Sequence, residues 1–172
     1  MILYRIKQFF RAVTAKITYE DLQFIDIYLN HNEKEIFNKL SVYDKKHSIN
    51  VAKDIKIYLK DLSEMEKDKL NIKEKNMIKL GLLHDIGKVY KKLNPIEKSI
   101  LVLLNSLTKE KIKKYDNIKA VKVYYRHGEM GFNILKKYNY EEDFLCAVKN
   151  HHYYSNNNTL ELKILQKADN NN

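Results

Sequence analysis

Gly81-Leu-Leu-His-Asp-Ile-Gly-Lys88 closes an apolar helix face with a histidine and an aspartate. The apolar residues before His84 recur at helical spacing, so the pair His84 and Asp85 should lie near a helix C-terminus, with Gly87 as the terminating residue. An ionised carboxylate in an apolar wall is costly unless a cation or a metal ion compensates it. A divalent ion would compensate Asp85, but a single His-Asp pair is weak evidence by itself, so the prediction of a metal site depends on the other histidines and aspartates of the chain.

The composition of the whole chain favours an all-α fold. Only 4 Gly and 1 Pro occur among 172 residues, which is too little turn chemistry for a barrel or sandwich of many short strands. We expect a compact multi-helix bundle in a single domain over residues 1–172, with residues 1–40 as an N-terminal helical extension.

Helical periodicity and capping residues predict the individual helices. The apolar pattern predicts helices at 2–14, 19–29, 33–40, 43–61, 72–84, 95–106, 117–126, 129–138, 140–152 and 160–169. Four pairs of a capping side chain with a carboxylate three residues later mark expected helix starts: Thr18 with Asp21, Asn32 with Glu35, Asn94 with Glu97, and Asn139 with Glu142.

Charge, cysteine content and hydropathy limit the compartment and the partners. The net charge of +10 suits anionic partners such as nucleotides or nucleic acid, but it also fits a merely lysine-rich exterior. Cys146 is the only cysteine, which fits a reducing compartment. No apolar run approaches the roughly 18 residues of a membrane span, and residues 1–11 lack a secretory pattern. We expect a cytoplasmic protein with no transmembrane segment.

Two basic segments allow further interpretations. The lysine-dense stretch 109–122 could face nucleic-acid phosphates, although a solvated helix face is the simpler interpretation and the 13 Tyr form no RNA-binding motif. The helix predicted at 2–14 separates basic from apolar residues, so it could lie on a membrane surface. Packing over the open end of the bundle is the favoured alternative.

Histidines and aspartates on apolar helix faces form the candidate metal set: His47, His84, Asp85, His127, His151, His152 and Asp169. A single histidine on an apolar helix face is usually a satisfied core residue. Packing alone would rarely place all of these histidines and aspartates on such faces in this order. Imidazole and carboxylate together suit Fe, Mn, Zn, Ni or Co better than Ca or Mg. Adjacent helix positions differ by about 100°, so His151 is favoured over His152 unless the helix ends there. His31 lies in a polar run and is expected at the surface.

Three segments resemble the HD superfamily of metal-dependent phosphohydrolases, an all-α family. They are Gly81-Leu-Leu-His-Asp-Ile-Gly-Lys88, Lys46-His-Ser-Ile-Asn-Val-Ala52 and Ile164-Leu-Gln-Lys-Ala-Asp169, so the resemblance implies an HD domain over about 41–170. His127-Gly-Glu-Met-Gly-Phe-Asn-Ile-Leu135 and Ala147-Val-Lys-Asn-His-His152 are similar to the extra motifs of members that bind two metals, often iron. Such members include HD-GYP phosphodiesterases and small dinucleoside tetraphosphate hydrolases. No Gly-Tyr-Pro follows His152, which argues against cyclic di-GMP hydrolysis.

The resemblance also implies roles for individual residues. One ion would be held by His47, His84, Asp85 and Asp169, and a second by His127 and His151, with or without His152. Asp85 would bridge the two ions, and the cofactor would be one or two transition-metal ions, with Fe or Mn favoured and Zn, Ni or Co as alternatives. Asp85 and Lys88 are the expected catalytic residues. Lys88 and Arg126 are the expected contacts to substrate phosphate.

The resulting expectation is a metal-dependent phosphohydrolase that cleaves a phosphoester or phosphoanhydride of a nucleotide or another small phosphorylated substrate. A metal-activated water would be the nucleophile. The first alternative is a catalytically silent HD module that binds a ligand or a partner. The next is a nucleic-acid-binding protein. The sequence leaves the oligomeric state open.

Overall fold

The computed structural model describes residues 9–11, 13–63, 65, 67 and 73–172. These residues form helices and no strand, which confirms the all-α class. The α-helices are α1 (Tyr19–Tyr28), α2 (His31–Phe37), α3 (Val42–Lys60), α4 (Glu74–Leu83), α5 (Pro95–Leu107), α6 (Lys119–Leu135), α7 (Glu142–Asn150) and α8 (Leu160–Asn171). Short 3-10 helices span Ile86–Tyr90, Lys111–Tyr115 and Lys136–Tyr138. Most of the predicted helix 2–14 lies outside the described residues.

A central pair of helices positions the rest of the bundle. Helices α3 and α4 pack closely because Gly81 has no side chain, and a Cβ there would lie 2.8 Å from Cα of Ala52. Helix α8 packs against α3, α7 against α6, and the 3-10 helix Ile86–Tyr90 against α6. Phe24 and Phe37 bring α1 and α2 into the same hydrophobic core as α3 and α4. Within the described residues, no helix combines the length and apolarity that crossing a bilayer requires.

The prediction of separate helices at 117–126 and 129–138 is wrong, because α6 runs without a break from Lys119 to Leu135. Gly128, which lies between the two predicted helices, is inside α6 and allows close packing. A Cβ on Gly128 would lie 2.6 Å from the carbonyl oxygen of Lys149, so glycine lets the end of α7 approach the side of α6.

The role predicted for Gly87 is also wrong. Helix α4 ends at Leu83, and Gly87 lies inside the following 3-10 helix with no positive φ. A Cβ at Gly87 would lie 1.9 Å from the carbonyl oxygen of His127. The glycine is therefore required where the 3-10 helix contacts α6.

Two of the four predicted caps are observed. Thr18 with Asp21 and Asn94 with Glu97 form reciprocal capping boxes. Helix α2 begins instead with the box of Asn30 and Glu33. Asn30 and Asn32 each precede a glutamate by three residues, so both carry the capping pattern. The structure uses Asn30, because its partner Glu33 is also bound by Lys79 and Tyr140 in the interior. At the start of α7, Asn139 adopts a left-handed conformation and Glu141 is the N-cap residue, without a side-chain hydrogen bond.

Asp21 forms a buried ion cluster that ties α1 to α3. Its carboxylate accepts hydrogen bonds from Lys46 Nζ at 2.6 Å and from Lys53 Nζ at 2.7 Å. Burial opposes ionisation, but these ammonium groups hold the pKa of Asp21 far below its ordinary value of 3.8. We expect Asp21→Asn to lower the free energy of unfolding by about 3 kcal/mol at pH 7, because the ammonium groups lose their buried partner.

The pH dependence of this loss tests the cause. A depressed pKa stabilises the fold above pH 3.8, the unfolded value, and this contribution disappears as the pH falls through the lower folded value. Urea unfolding should therefore show a difference between wild type and Asp21→Asn that shrinks below about pH 4. Asp26→Asn, which removes the exposed partner of Lys34, should change stability by less than about 0.5 kcal/mol. An equal loss for both variants would contradict the assignment.

Candidate metal centre

The structure brings the candidate metal set together at one place. His47 comes from α3, His84 and Asp85 from the end of α4, His127 from α6, His151 and His152 from the end of α7, and Asp169 from α8. Helix α7 ends at Asn150 and His151 is its C-cap residue, with helical backbone angles. Both His151 and the following His152 reach the cluster. His31 lies apart from it and is 84% exposed beside Glu35.

Backbone carbonyls orient three of the imidazoles. Nδ1 of His84 lies 2.9 Å from the carbonyl oxygen of Gly81, and Nδ1 of His151 lies 2.7 Å from that of Val148. His127 makes the equivalent contact with Val123 at 3.0 Å. A carbonyl oxygen can only accept, so each Nδ1 carries a proton and donates it. In the neutral ring, Nε2 is then left with a lone pair that faces the cluster, as in a metal-ligating histidine.

Asp85 lies between two sets of histidines. Its Oδ2 is 3.6 Å from Nε2 of His47 and 3.4 Å from Nε2 of His84. Its Oδ1 is 3.3 Å from Nε2 of His127 and 3.7 Å from Nε2 of His151. The two oxygens of one carboxylate therefore face different histidine pairs.

The donor atoms form two groups that fit a metal ion. Asp85, His127, His151 and His152 form one group, and His47, His84 and Asp169 form the other, with ligand atoms within 4.8 Å of one another in each. In the second group, Nε2 of His47 lies 2.9 Å from Oδ1 of Asp169.

Orphaned polar atoms also indicate a cation at this place. Nε2 of His84, Oδ1 of Asp85 and Nε2 of His151 are buried and make no hydrogen bond. Buried polar atoms in folded proteins are nearly always paired, and those without a partner require an explanation. Three such atoms in one cluster of nitrogen and oxygen donors fit divalent transition-metal ions.

Burial and neighbouring charges keep most of the donors in the form that binds metal. Burial lowers the pKa values of His47 and His127 below 6.5, so both rings are neutral near pH 7. His152 is more exposed than the other donors, but partial desolvation and the adjacent imidazoles of His151 and His127 still lower its pKa below 6.5. Burial opposes ionisation of Asp85, but the Lys88 ammonium group holds the pKa of Asp85 well below its ordinary value.

The pKa values of His84 and Asp169 shift in opposite directions. Burial alone would lower the pKa of His84, but the charge of Asp85 raises it above 6.5. Burial opposes ionisation of Asp169, yet the hydrogen bond with His47 lowers the pKa of that carboxyl. Because a ligand must be deprotonated, metal binding at His84 would release its proton.

The two expected phosphate contacts have different surroundings. Lys88 directly contacts Oδ2 of Asp85, and its side chain is only 17% exposed. Arg126 lines the adjoining cavity, but its guanidinium pairs with Asp116 at 2.6 Å and is 48% exposed. The structure therefore places Lys88 at the cluster and Arg126 at the outer surface.

A cavity of about 920 Å³ opens beside the cluster, and His47, Asp85, Lys88, His127, His152 and Asp169 lie in its wall. Lys98, Lys113 and Lys149 also line it. Among the described residues, no carboxylate pairs with these three lysines. Their Nζ atoms instead lie over the rings of Tyr43, Tyr125 and Phe132. Lys98 Nζ also donates a hydrogen bond to the Tyr43 hydroxyl at 3.1 Å. Because Glu110 and Glu129 also line the cavity, its wall carries both charges, with lysines that are not neutralised by direct ion pairs.

Asp44, Lys98 and Lys149 line the cavity but were not predicted from the sequence. Asp44 is buried, and its Oδ1 lies 4.0 Å from Nζ of Lys88. Its position three residues before His47 puts both side chains on one helix face, a signal that was available in the sequence. Lys98 and Lys149 gave no comparable signal, because helix packing brings them to the cavity. Within the stretch 109–122, Lys113 reaches the cavity.

Comparison with known protein families gives a match that covers most of the chain. The family described as HD domain matches residues 45–170. This segment includes every residue of the candidate metal set. Searches of curated proteins and of solved structures gave no match.

Proposed function

The chain belongs to the HD-domain family, and from this premise we propose that it is a metal-dependent phosphohydrolase acting on a nucleotide or another small phosphorylated molecule. The HD domain generally indicates the metal-dependent hydrolase superfamily, although some members are not enzymes. The observation that supports the proposal most is Asp85, whose two oxygens face separate histidine pairs among buried atoms that lack hydrogen bonds.

The proposed metal centre has room for two ions. His47, His84 and Asp169 would hold the first, His127, His151 and His152 would hold the second, and Asp85 would serve both groups. Fe or Mn is the proposed metal, since the donors are imidazole and carboxylate groups, with Zn, Ni or Co as alternatives. Such ions supply Lewis acidity, which activates a water molecule and offsets charge on a phosphoryl group.

Residues of the chain orient the reacting groups. The backbone bonds of His84, His127 and His151 fix their rings, so the donor atoms are held ready before the substrate arrives. Lys88 holds its ammonium group beside Asp85 at the cavity wall, where it can bind a phosphate oxygen. A fixed cation there stabilises negative charge that develops during hydrolysis.

The cavity supports an anionic substrate with a group larger than phosphate alone. A volume of about 920 Å³ accommodates a nucleotide-sized ligand. Lys98, Lys113 and Lys149 can attract further phosphates. Tyr43 lies at the wall next to His47, with ring centroids 6.3 Å apart and planes 30° apart, and Lys98 Nζ lies over the same ring, so this part of the wall combines an aromatic group with a cation.

The proposal is tested by hydrolysis of a phosphoester panel after anaerobic loading with Fe(II) or Mn(II). The panel should contain p-nitrophenyl phosphate, its bis ester, nucleoside mono-, di- and triphosphates, and dinucleoside polyphosphates. We expect metal-dependent product release from at least one nucleotide. A fully loaded chain that releases nothing from any of them would reject the enzyme and favour an HD module that acts by binding.

Lys88→Gln tests phosphate binding by Lys88 when the assay is run at saturating metal concentration. We expect kcat to fall about 100-fold under these conditions, because the neutral amide cannot offset phosphoryl charge. Lys92→Gln is the matched control, since Lys92 is exposed and lies outside the cavity. Equal kcat values for Lys88→Gln and wild type would contradict a phosphate contact at Lys88.

A further inference from the structure

The ammonium group of Lys88 lies near two buried carboxylates. Its Nζ directly contacts Oδ2 of Asp85 and lies 4.0 Å from Oδ1 of Asp44. The Asp44 side chain is 6% exposed. Lys88 is therefore bound to Asp85, and Asp44 is a second, more distant carboxylate outside the metal cluster.

The N-terminus of α3 fixes the orientation of the Asp44 side chain. Oγ of Ser41, the N-cap residue, donates a hydrogen bond to Oδ2 of Asp44 at 2.5 Å. The backbone N–H of Asp44 in turn donates to Oγ of Ser41 at 3.1 Å. One oxygen is thus held by the cap, while the other is the oxygen nearest to Lys88.

We propose that Asp44 is a positioning residue that draws the charge of Lys88 away from Asp85 and so leaves Asp85 available to a metal ion. An ammonium group bound to Asp85 alone would compete with a divalent cation for Oδ2, the oxygen that His47 and His84 also face. The carboxylate of Asp44 offsets part of that charge, and its Oδ1 gives the ammonium group a second hydrogen-bond acceptor to turn to when a metal ion binds Asp85. This inference rests on the proposed metal site.

Asp44 acts through Lys88 rather than as a ligand. Its atoms belong to neither group of potential metal ligands. Among the described residues, the charged group that Asp44 contacts is the ammonium group of Lys88. The double substitution of the two residues therefore separates an effect through Lys88 from a direct attraction between Asp44 and the metal.

The test is the affinity for Mn²⁺, measured by calorimetric titration of the full chain at fixed pH. Asp44→Asn keeps the size of the side chain and an oxygen acceptor for Ser41, so the fold should persist. We expect Kd to rise about tenfold in Asp44→Asn. In the Lys88→Met background, Asp44→Asn should change Kd by less than about twofold, because the competing ammonium group is gone.

Conservative and control variants exclude a merely structural effect. Asp44→Glu keeps the charge and should restore Kd to within about threefold of wild type. Glu110→Gln removes a different carboxylate from the cavity wall and should leave Kd unchanged. Circular dichroism on each metal-free variant checks the fold, and Asp44→Ser serves as the charge-free variant if Asp44→Asn does not fold.

Two results would overturn the inference while leaving the proposed function intact. In the first, wild type binds Mn²⁺ and Asp44→Asn binds it equally well. In the second, Asp44→Asn weakens binding as much in the Lys88→Met background as in wild type. Failure of wild type itself to bind Mn²⁺, Fe²⁺ or any related ion would instead reject the proposed metal site, and the inference with it.

Discussion

Asp85→Asn is expected to bind neither metal ion and to lose hydrolytic activity by more than about a thousandfold. Each oxygen of Asp85 faces a different histidine pair, so one substitution affects both groups of donors. An asparagine keeps the shape of the side chain, but it has no negative charge and presents an NH₂ group to one of the two pairs. Metal analysis and the phosphoester assay on the same sample measure the two effects.

A matched control excludes a general effect of charge at the cavity mouth. Asp116→Asn removes the carboxylate that pairs with Arg126 at the surface and touches no histidine of the cluster. Metal content and activity should stay near those of wild type. If Asp85→Asn retained both ions, the bridging position of Asp85 would be wrong, even if activity fell.

Gly87→Ala is expected to lower the free energy of unfolding by at least about 3 kcal/mol. The added Cβ would lie 1.9 Å from the carbonyl oxygen of His127 and 2.8 Å from the backbone nitrogen of Gly131. Backbone atoms cannot rotate away as a side chain can, so the 3-10 helix and α6 must separate. This movement also pulls His127 from Asp85, and metal binding should weaken together with stability.

Gly131→Ala is the control for the loss of stability expected in Gly87→Ala. Its Cβ would meet the side chain of Val148 at 3.0 Å, a contact that a small side-chain shift can relieve. We expect a loss of about 1 kcal/mol in urea unfolding at pH 7. Equal stabilities of Gly87→Ala and wild type would show that the close contact between the 3-10 helix and α6 does not exist.

The sequence predicted the all-α class and the set of residues that meet in the cluster. Both follow from local rules: helical spacing puts His47 and Asp169 on apolar faces, and a buried His84 and Asp85 need a compensating cation. The HD resemblance grouped residues from five helices that no periodicity could connect. The family match spans residues 45–170, and all of these residues lie within that range.

The sequence could not predict features that depend on contacts between helices. Gly87 looks like a helix end in a single sequence and Gly128 lies between two predicted helices, but each is needed where another backbone approaches. Asn30 and Asn32 carry the same capping signal, and the choice depends on the buried partners of Glu33. The orientation of His152 depends on the end of α7 at Asn150, a boundary that periodicity alone places imprecisely.

The metal stoichiometry of the purified chain tests the central claim most directly. Inductively coupled plasma mass spectrometry after anaerobic loading with Fe(II) or Mn(II) counts the metal ions per chain. Asp85→Asn, treated in the same way, is the negative control. The account predicts about two ions per chain in wild type, one for each group of donors. One ion would contradict the bridging role of Asp85, and none would contradict a metal centre in this chain.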